Sequence, residues 1–160
     1  IVRRLVGSEM CIRDRFQPEG SRGVGGGIVQ YDYRSVDLLE ATKELNSETM
    51  LIAMVETPAA IESIDEIASV DGIDVIMIGT NDLAMASGCP QDFGNPKIEK
   101  FYEKTALACK KYNKWLGSGG VKDEKAAKNY IEMGANFFLA GQDIGFLLSA
   151  SKDRVDRLKS

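Results

Sequence analysis

From residue 50 onward the chain alternates short apolar runs with longer stretches whose apolar residues recur at helical spacing, with Gly, Thr, Asn or Asp at each change. The first run, "MLIAMVE" (50–56), has no polar alternation, as expected of a strand buried on both faces of a parallel sheet. "TPAAIESIDEIASV" (57–70) then predicts a helix. Thr57 can cap it, Pro58 suits its first position, and Ile61, Ile64, Ile67 and Ala68 share one stripe. "IDVIMIG" (73–79) predicts the second strand, followed by a helical turn in "NDLAMASG" (81–88). A long helix through 95–114 follows, with Ile98, Phe101, Thr105, Leu107, Ala108 and Tyr112 as its apolar face. "KWLGSGG" with "DEKAAKNYIEMG" makes a third unit and "NFFLAGQ" with "DIGFLLSASKDRVDRLK" a fourth, each helix starting near an Asp.

Strands alternating with helices over short connections predict a right-handed parallel α/β fold. An open sheet and a closed barrel both fit. A complete (β/α)8 barrel takes about 250 residues, so on the barrel reading these are about the last four βα units of a TIM-type fold. The front of the chain reads differently. "LVGSEMCIRD" (5–14) corresponds residue for residue to a translated adapter of transposase-made sequencing libraries, and Arg15 agrees with the adapter's last two bases. Residues 1–15 are therefore set apart as a non-native segment, with native sequence expected from Phe16; the alternative is a genuine N-terminal arm.

Composition narrows the function. The 160 residues fit one domain, and 20 basic against 24 acidic residues without a basic run exclude nucleic acid as an expected partner. No apolar stretch reaches the ~20 residues of a membrane span, and the opening residues lack a signal-peptide core, so a cytoplasmic location is expected. Three cysteines, Cys11, Cys89 and Cys109, have no CxxC spacing and suggest neither a disulfide framework nor structural zinc. Histidine is absent. That removes a histidine-rich zinc site and the commonest general base.

Parallel α/β folds carry their chemistry at the carboxyl ends of the strands. Two carboxylates stand there: Glu56 ends the first apolar run and Asp82 follows the second. With neighbouring strands about 4.8 Å apart, both side chains can converge on one hard divalent cation such as Mg²⁺ or Mn²⁺. Each also has a plain alternative, Glu56 offsetting the next helix dipole and Asp82 serving as an N-cap. Gly79, Thr80 and Asn81 offer backbone N–H groups beside Asp82, a seat for a substrate carboxylate, although isolated glycines more often only make turns. Glu62, Asp65 and Glu66 read as a solvated helix face and Asp143 as a helix cap. Met54, Met77, Met85, Trp115, Phe137 and Phe138 are expected in the core.

Taken in order, "FQPEGSRGVGGG", "MVETPAAIESIDEIASVDGIDVIMIGTNDLAMASG", "GSGGV" and "MGANFFLAGQDIGFLLSA" resemble the HpcH/HpaI family of class II, metal-dependent aldolases. The family's tyrosine-proline-proline-x-glycine-x-arginine-glycine segment corresponds to Phe16–Gly23, with Phe and Gln at its first two positions. Its glutamate-threonine and glycine-proline-x-aspartate-leucine segments correspond to Glu56-Thr57 and to Gly79–Leu83, with Thr80 in place of the usual proline. The resemblance implies that residues 16–160 are the C-terminal part of a TIM-barrel aldolase domain, often hexameric. Such an enzyme reversibly cleaves 4-hydroxy-2-oxo acids to pyruvate and an aldehyde. It further implies that Glu56 and Asp82 hold Mg²⁺, Mn²⁺ or Co²⁺, which chelates pyruvate, while the amides around Thr80, Asn81 and Asp82 bind the pyruvate carboxylate.

Where some members place a pocket glutamine, this chain has Met54. The family's acid–base histidine and enolate-stabilising arginine, both on early strands, have no counterpart here, and Arg22 belongs to a different motif. The expectation is an inactive fragment of an aldolase. A Schiff-base aldolase would need a pocket lysine, to which Lys122 comes nearest. Two further alternatives are a citrate-lyase-β-like acyl-CoA lyase and a non-catalytic half-barrel that assembles through its open edges.

Overall fold

The computed structural model describes residues 14–25 and 27–159. Among these, β1 (Ile52–Val55), β2 (Val75–Gly79), β3 (Trp115–Gly119) and β4 (Ala135–Phe138) form one sheet in that order, every neighbouring pair parallel. Helix α1 (Leu38–Glu48) precedes β1. Helices α2 (Pro58–Glu62) and α3 (Ile64–Ala68) connect β1 to β2, and α4 (Thr80–Ala86) and α5 (Pro96–Lys111) connect β2 to β3. Helix α6 (Glu124–Glu132) connects β3 to β4, and α7 (Asp143–Lys159) follows β4. Strands paired in chain order, all parallel and each followed by helix, are consecutive units of a (β/α)8 barrel, so the chain is an α/β fold carrying part of one.

Side chains cap the helix starts, Thr57 and Asp123 as predicted and Asn95 in addition. Thr57 Oγ1 accepts from the Ala60 amide at 3.2 Å, Asn95 Oδ1 from the Lys97 amide at 3.0 Å and Asp123 Oδ1 from the Ala126 amide at 2.7 Å, each satisfying an otherwise unpaired first-turn donor. The helix predicted over 57–70 is instead two short ones parted at Ser63. Ile61, Ile64, Ile67 and Ala68 nevertheless all lie buried against the sheet.

One face of the sheet, with Ala53, Val55, Ile76, Ile78, Leu116 and Ala135, packs under the helices. The burial of α5 differs from expectation. Leu107 is exposed, whereas Tyr102 and Cys109 join Ile98 and Thr105 inside. The buried set 98, 102, 105, 108 and 109 follows the helical period, and Leu107 falls off it. Met77 is buried, but Met54, Met85 and Trp115 are exposed, and Phe137 and Phe138 are only partly covered. The strand residues among them have a common cause: Met54 and Trp115 alternate with the helix-facing residues and so point to the other side of the sheet, the interior side of a barrel.

On that side β3 crosses close to β2. A Cβ added to Gly117 would meet Met77 Cα, Met77 Cβ and Val75 Cγ1, each at 3.1 Å. Gly117→Ala is therefore expected to lower stability by about 1–3 kcal/mol through overpacking, read as a lower urea midpoint with unchanged m-value.

Candidate active site

The register of β1 on β2 sets Val55 beside Ile78, so Glu56, the next residue, emerges alongside Gly79. The glycine is required there. A Cβ at position 79 would lie 2.5 Å from Glu56 Oε1 and 2.6 Å from its Cγ, so the glutamate side chain lies across bare backbone. Asp82 sits in the first turn of α4, with its carboxyl close enough to Glu56 to act on the titration of that side chain. Desolvation first, then the proximity and negative charge of Asp82, hold the Glu56 carboxyl above the ordinary carboxylate range. Neither residue acts as a cap: Thr57 caps α2, and the N-cap of α4 is Gly79. The two candidate ligands thus converge.

The β3 end completes the cluster. Gly120 has φ +81°, and a Cβ there would fall 2.5 Å from Asn81 Nδ2, so the exposed Asn81 side chain lies against the end of β3. Thr80 turns the opposite way. It is fully buried, and its Oγ1 shares a 2.7 Å hydrogen bond with the Tyr102 hydroxyl, which shares another of 2.7 Å with Ser118 Oγ. Of Thr80, only the backbone is left to face the cluster. The Tyr102 ring stacks on Tyr130 with centroids 3.6 Å apart and planes 6° from parallel, and the Tyr130 hydroxyl donates to the Phe93 carbonyl. Burial pushes the Tyr102 hydroxyl pKa up, opposed by its two hydroxyl partners.

Other candidates lie elsewhere. Asp65 pairs with Lys111 at 2.8 Å on the exposed face of the helices, where Glu62 and Glu66 also lie. Asp143 opens α7, its Oδ1 accepting from the Ile144 amide at 2.7 Å. Lys122 is exposed beyond the end of β3. Burial pushes the Cys109 thiol up to about 11, which keeps it protonated and unreactive at neutral pH. Cys11 is outside the described residues. Among the described residues no group of three or more His, Cys, Asp or Glu side chains is placed to hold a metal ion, so Glu56 and Asp82 stand as a pair.

The Phe16–Gly23 segment is anchored at the opposite end of the sheet. The Phe16 amide donates to Asn46 Oδ1 at 2.7 Å and Asn46 Nδ2 returns a bond to the Phe16 carbonyl at 2.9 Å. Arg15 reaches the Asn46 carbonyl at 2.5 Å and lies 3.8 Å from Asp74, just ahead of β2. The Arg22 guanidinium rests 4.8 Å from the centre of the Phe16 ring. Tyr102, Ser118 and Gly120 are what the sequence reading missed; the signal for Tyr102 was its place in the 98, 102, 105, 108, 109 stripe.

A parallel βα array with two acidic side chains near each other at its strand ends places the chain among barrel-type α/β proteins, and the comparisons are specific about which. The family described as HpcH/HpaI aldolase/citrate lyase matches residues 9–150, and the chain belongs to that family of carbon–carbon lyases. The match starts inside the segment set apart as non-native. The chain is 34% identical over 152 residues to a 2-keto-3-deoxy-L-rhamnonate aldolase of Klebsiella pneumoniae, covering 95% of this chain and 56% of that protein. It thus spans about half the length of the curated relatives it matches. An HpcH/HpaI aldolase structure from Desulfitobacterium hafniense DCB-2 superposes with TM-score 0.80 at 30% identity, over 96% of this chain and 62% of that one. An HpcH/HpaI aldolase/citrate lyase family structure from Burkholderia cenocepacia J2315 gives 0.77 at 25% identity, over 92% and 58%. No helix among the described residues is long and apolar enough to cross a membrane.

The raised Glu56 carboxyl has a consequence for stability. A carboxyl whose folded pKa exceeds its unfolded value contributes stability below the unfolded pKa, and that contribution is lost as pH rises through the folded pKa. In chelator at neutral pH, Glu56→Gln is expected to raise the melting temperature by a few degrees and to make little difference at about pH 3, below the ordinary carboxylate range. Differential scanning calorimetry at the two pH values checks this.

Proposed function

We propose that the chain is the site-bearing part of a metal-dependent aldolase that cleaves 4-hydroxy-2-oxo acids, the 2-keto-3-deoxy acids among them, to pyruvate and an aldehyde. The observation that carries the reading is the pairing of the Glu56 and Asp82 carboxyls over Gly79. The residues fit a divalent cation: two hard oxygen donors from adjacent strand ends, above a residue with no side chain, bear a like-charge repulsion that a cation relieves. Mg²⁺, Mn²⁺ and Co²⁺ all accept such donors.

In this reading Glu56 and Asp82 would hold the cation, which when bound would supply Lewis-acid stabilisation of the negative charge on the 2-oxo oxygen. Asn81 and the backbone of Gly79 and Thr80 bind and orient the substrate carboxylate from the first turn of α4. Cleavage also requires a base for the 4-hydroxyl proton and a proton for C3. These 160 residues contain no histidine for that work, so binding and turnover are separable in this chain.

Calorimetric titration of the 160-residue chain with Mn²⁺ tests the assignment. Binding is expected to strengthen as pH rises through the carboxylate range, because the ligands must be deprotonated. It should fall at least about 100-fold in Glu56→Gln and in Asp82→Asn, in line with removal of one of two charged ligands. Pyruvate release from 4-hydroxy-2-oxo acids by this chain alone is expected to be undetectable in a coupled assay. Equal affinity in wild type and both variants, or a borohydride-trapped adduct with pyruvate, would overturn the reading.

A further inference from the structure

We propose that Tyr102 is a positioning residue for the Asp82 turn, acting through the buried hydroxyl chain Thr80–Tyr102–Ser118; the inference rests on the reading of Glu56 and Asp82 as the metal-holding pair. Thr80 is the first residue of α4 and Asp82 lies two residues further on in the same turn, so whatever fixes Thr80 fixes the direction in which Asp82 leaves the strand. The Tyr102 hydroxyl reaches Thr80 Oγ1 and Ser118 Oγ, both at 2.7 Å. Ser118 pairs with Ile78 across the sheet and lies two residues before the glycine that carries Asn81. One hydroxyl from α5 thus ties the end of β2 to the end of β3.

The chain is closed from outside as well. Thr80, Tyr102 and Ser118 are fully buried, so none of the three hydroxyls can trade its partner for solvent; Thr80 Oγ1 also reaches the Ile78 carbonyl at 3.4 Å, whereas loss of the Tyr102 hydroxyl leaves the buried Ser118 Oγ without its partner. The Tyr102 ring has little freedom, being stacked on Tyr130 at 3.6 Å. Proline at a first helical position fixes φ by its ring; here a hydrogen bond from a neighbouring helix does that work on a residue whose backbone is otherwise free. The device couples site geometry to the seating of α5, a dependence that proline would not impose.

The test is Mn²⁺ affinity of the 160-residue chain, measured by calorimetry well below the melting transition. Tyr102→Phe keeps the stacked ring and removes the hydroxyl, and it is expected to weaken Mn²⁺ binding about tenfold, the lower end of the range for groups that orient metal ligands. Ser118→Ala is expected to act in the same direction and substitutes for Tyr102→Phe if that variant does not fold. Tyr130→Phe removes an equally buried hydroxyl from the stacked partner, so it should lower the melting temperature and leave Mn²⁺ affinity unchanged. Wild-type affinity in Tyr102→Phe and in Ser118→Ala, with binding abolished in Glu56→Gln, would overturn the positioning role and leave the metal reading standing. Absence of Mn²⁺ binding in wild type, or equal binding in Glu56→Gln, would overturn both.

Discussion

Parallel pairing in a fixed register is the constraint on which the rest of this structure depends. Because β1, β2 and β3 run the same way, their carboxyl ends share one edge, and the pairings Val55 with Ile78 and Gly79 with Gly119 bring three loops to one place. A slip of one residue would turn each strand's side chains to the other face. Glu56 would then leave the edge of Gly79, and Ile76 and Ile78 would leave the helices they pack against. The same burial that stabilises the sheet therefore aims the site.

Glycines are the second half of that aim. Gly79 and Gly120 sit where any Cβ would collide with Glu56 and with Asn81, and Gly120 also holds a positive φ that other residues rarely adopt. These close approaches let side chains from different strands meet over backbone. Beneath them the hydroxyls of Thr80, Tyr102 and Ser118 satisfy one another inside an otherwise apolar layer. A polar network in that position favours the arrangement of the turn in which Tyr102 and Ser118 keep their partners.

The paired carboxyls carry a cost that the fold accepts. Glu56 is partly desolvated and faces Asp82, a combination that disfavours two charges in the absence of a counter-ion. Such conflicts between local stability and site geometry are characteristic of functional positions. The remaining acidic residues behave differently: Asp65 is ion-paired on the surface, and Asp37 and Asp123 cap helices.

Much of the fold was legible along the chain. Unalternating apolar runs marked the strands, Thr57 and Asp123 marked helix starts, and Glu56 and Asp82 stood out as the acidic residues following the first two runs. These features are local, set by periodicity and by which groups the first turn of a helix leaves unpaired. Burial was less legible, since Met54 and Trp115 read as core by type but lie on the side of the sheet away from the helices. Only tertiary structure decided that Glu56 and Asp82 come near each other, that Thr80 turns inward, that Asn81 lies against Gly120 and that Tyr102 joins two strand ends. Each of those contacts spans residues far apart in the chain or depends on a side chain's choice between two directions. Sequence spacing does not determine such choices; the register of the sheet and the packing of α5 upon it do.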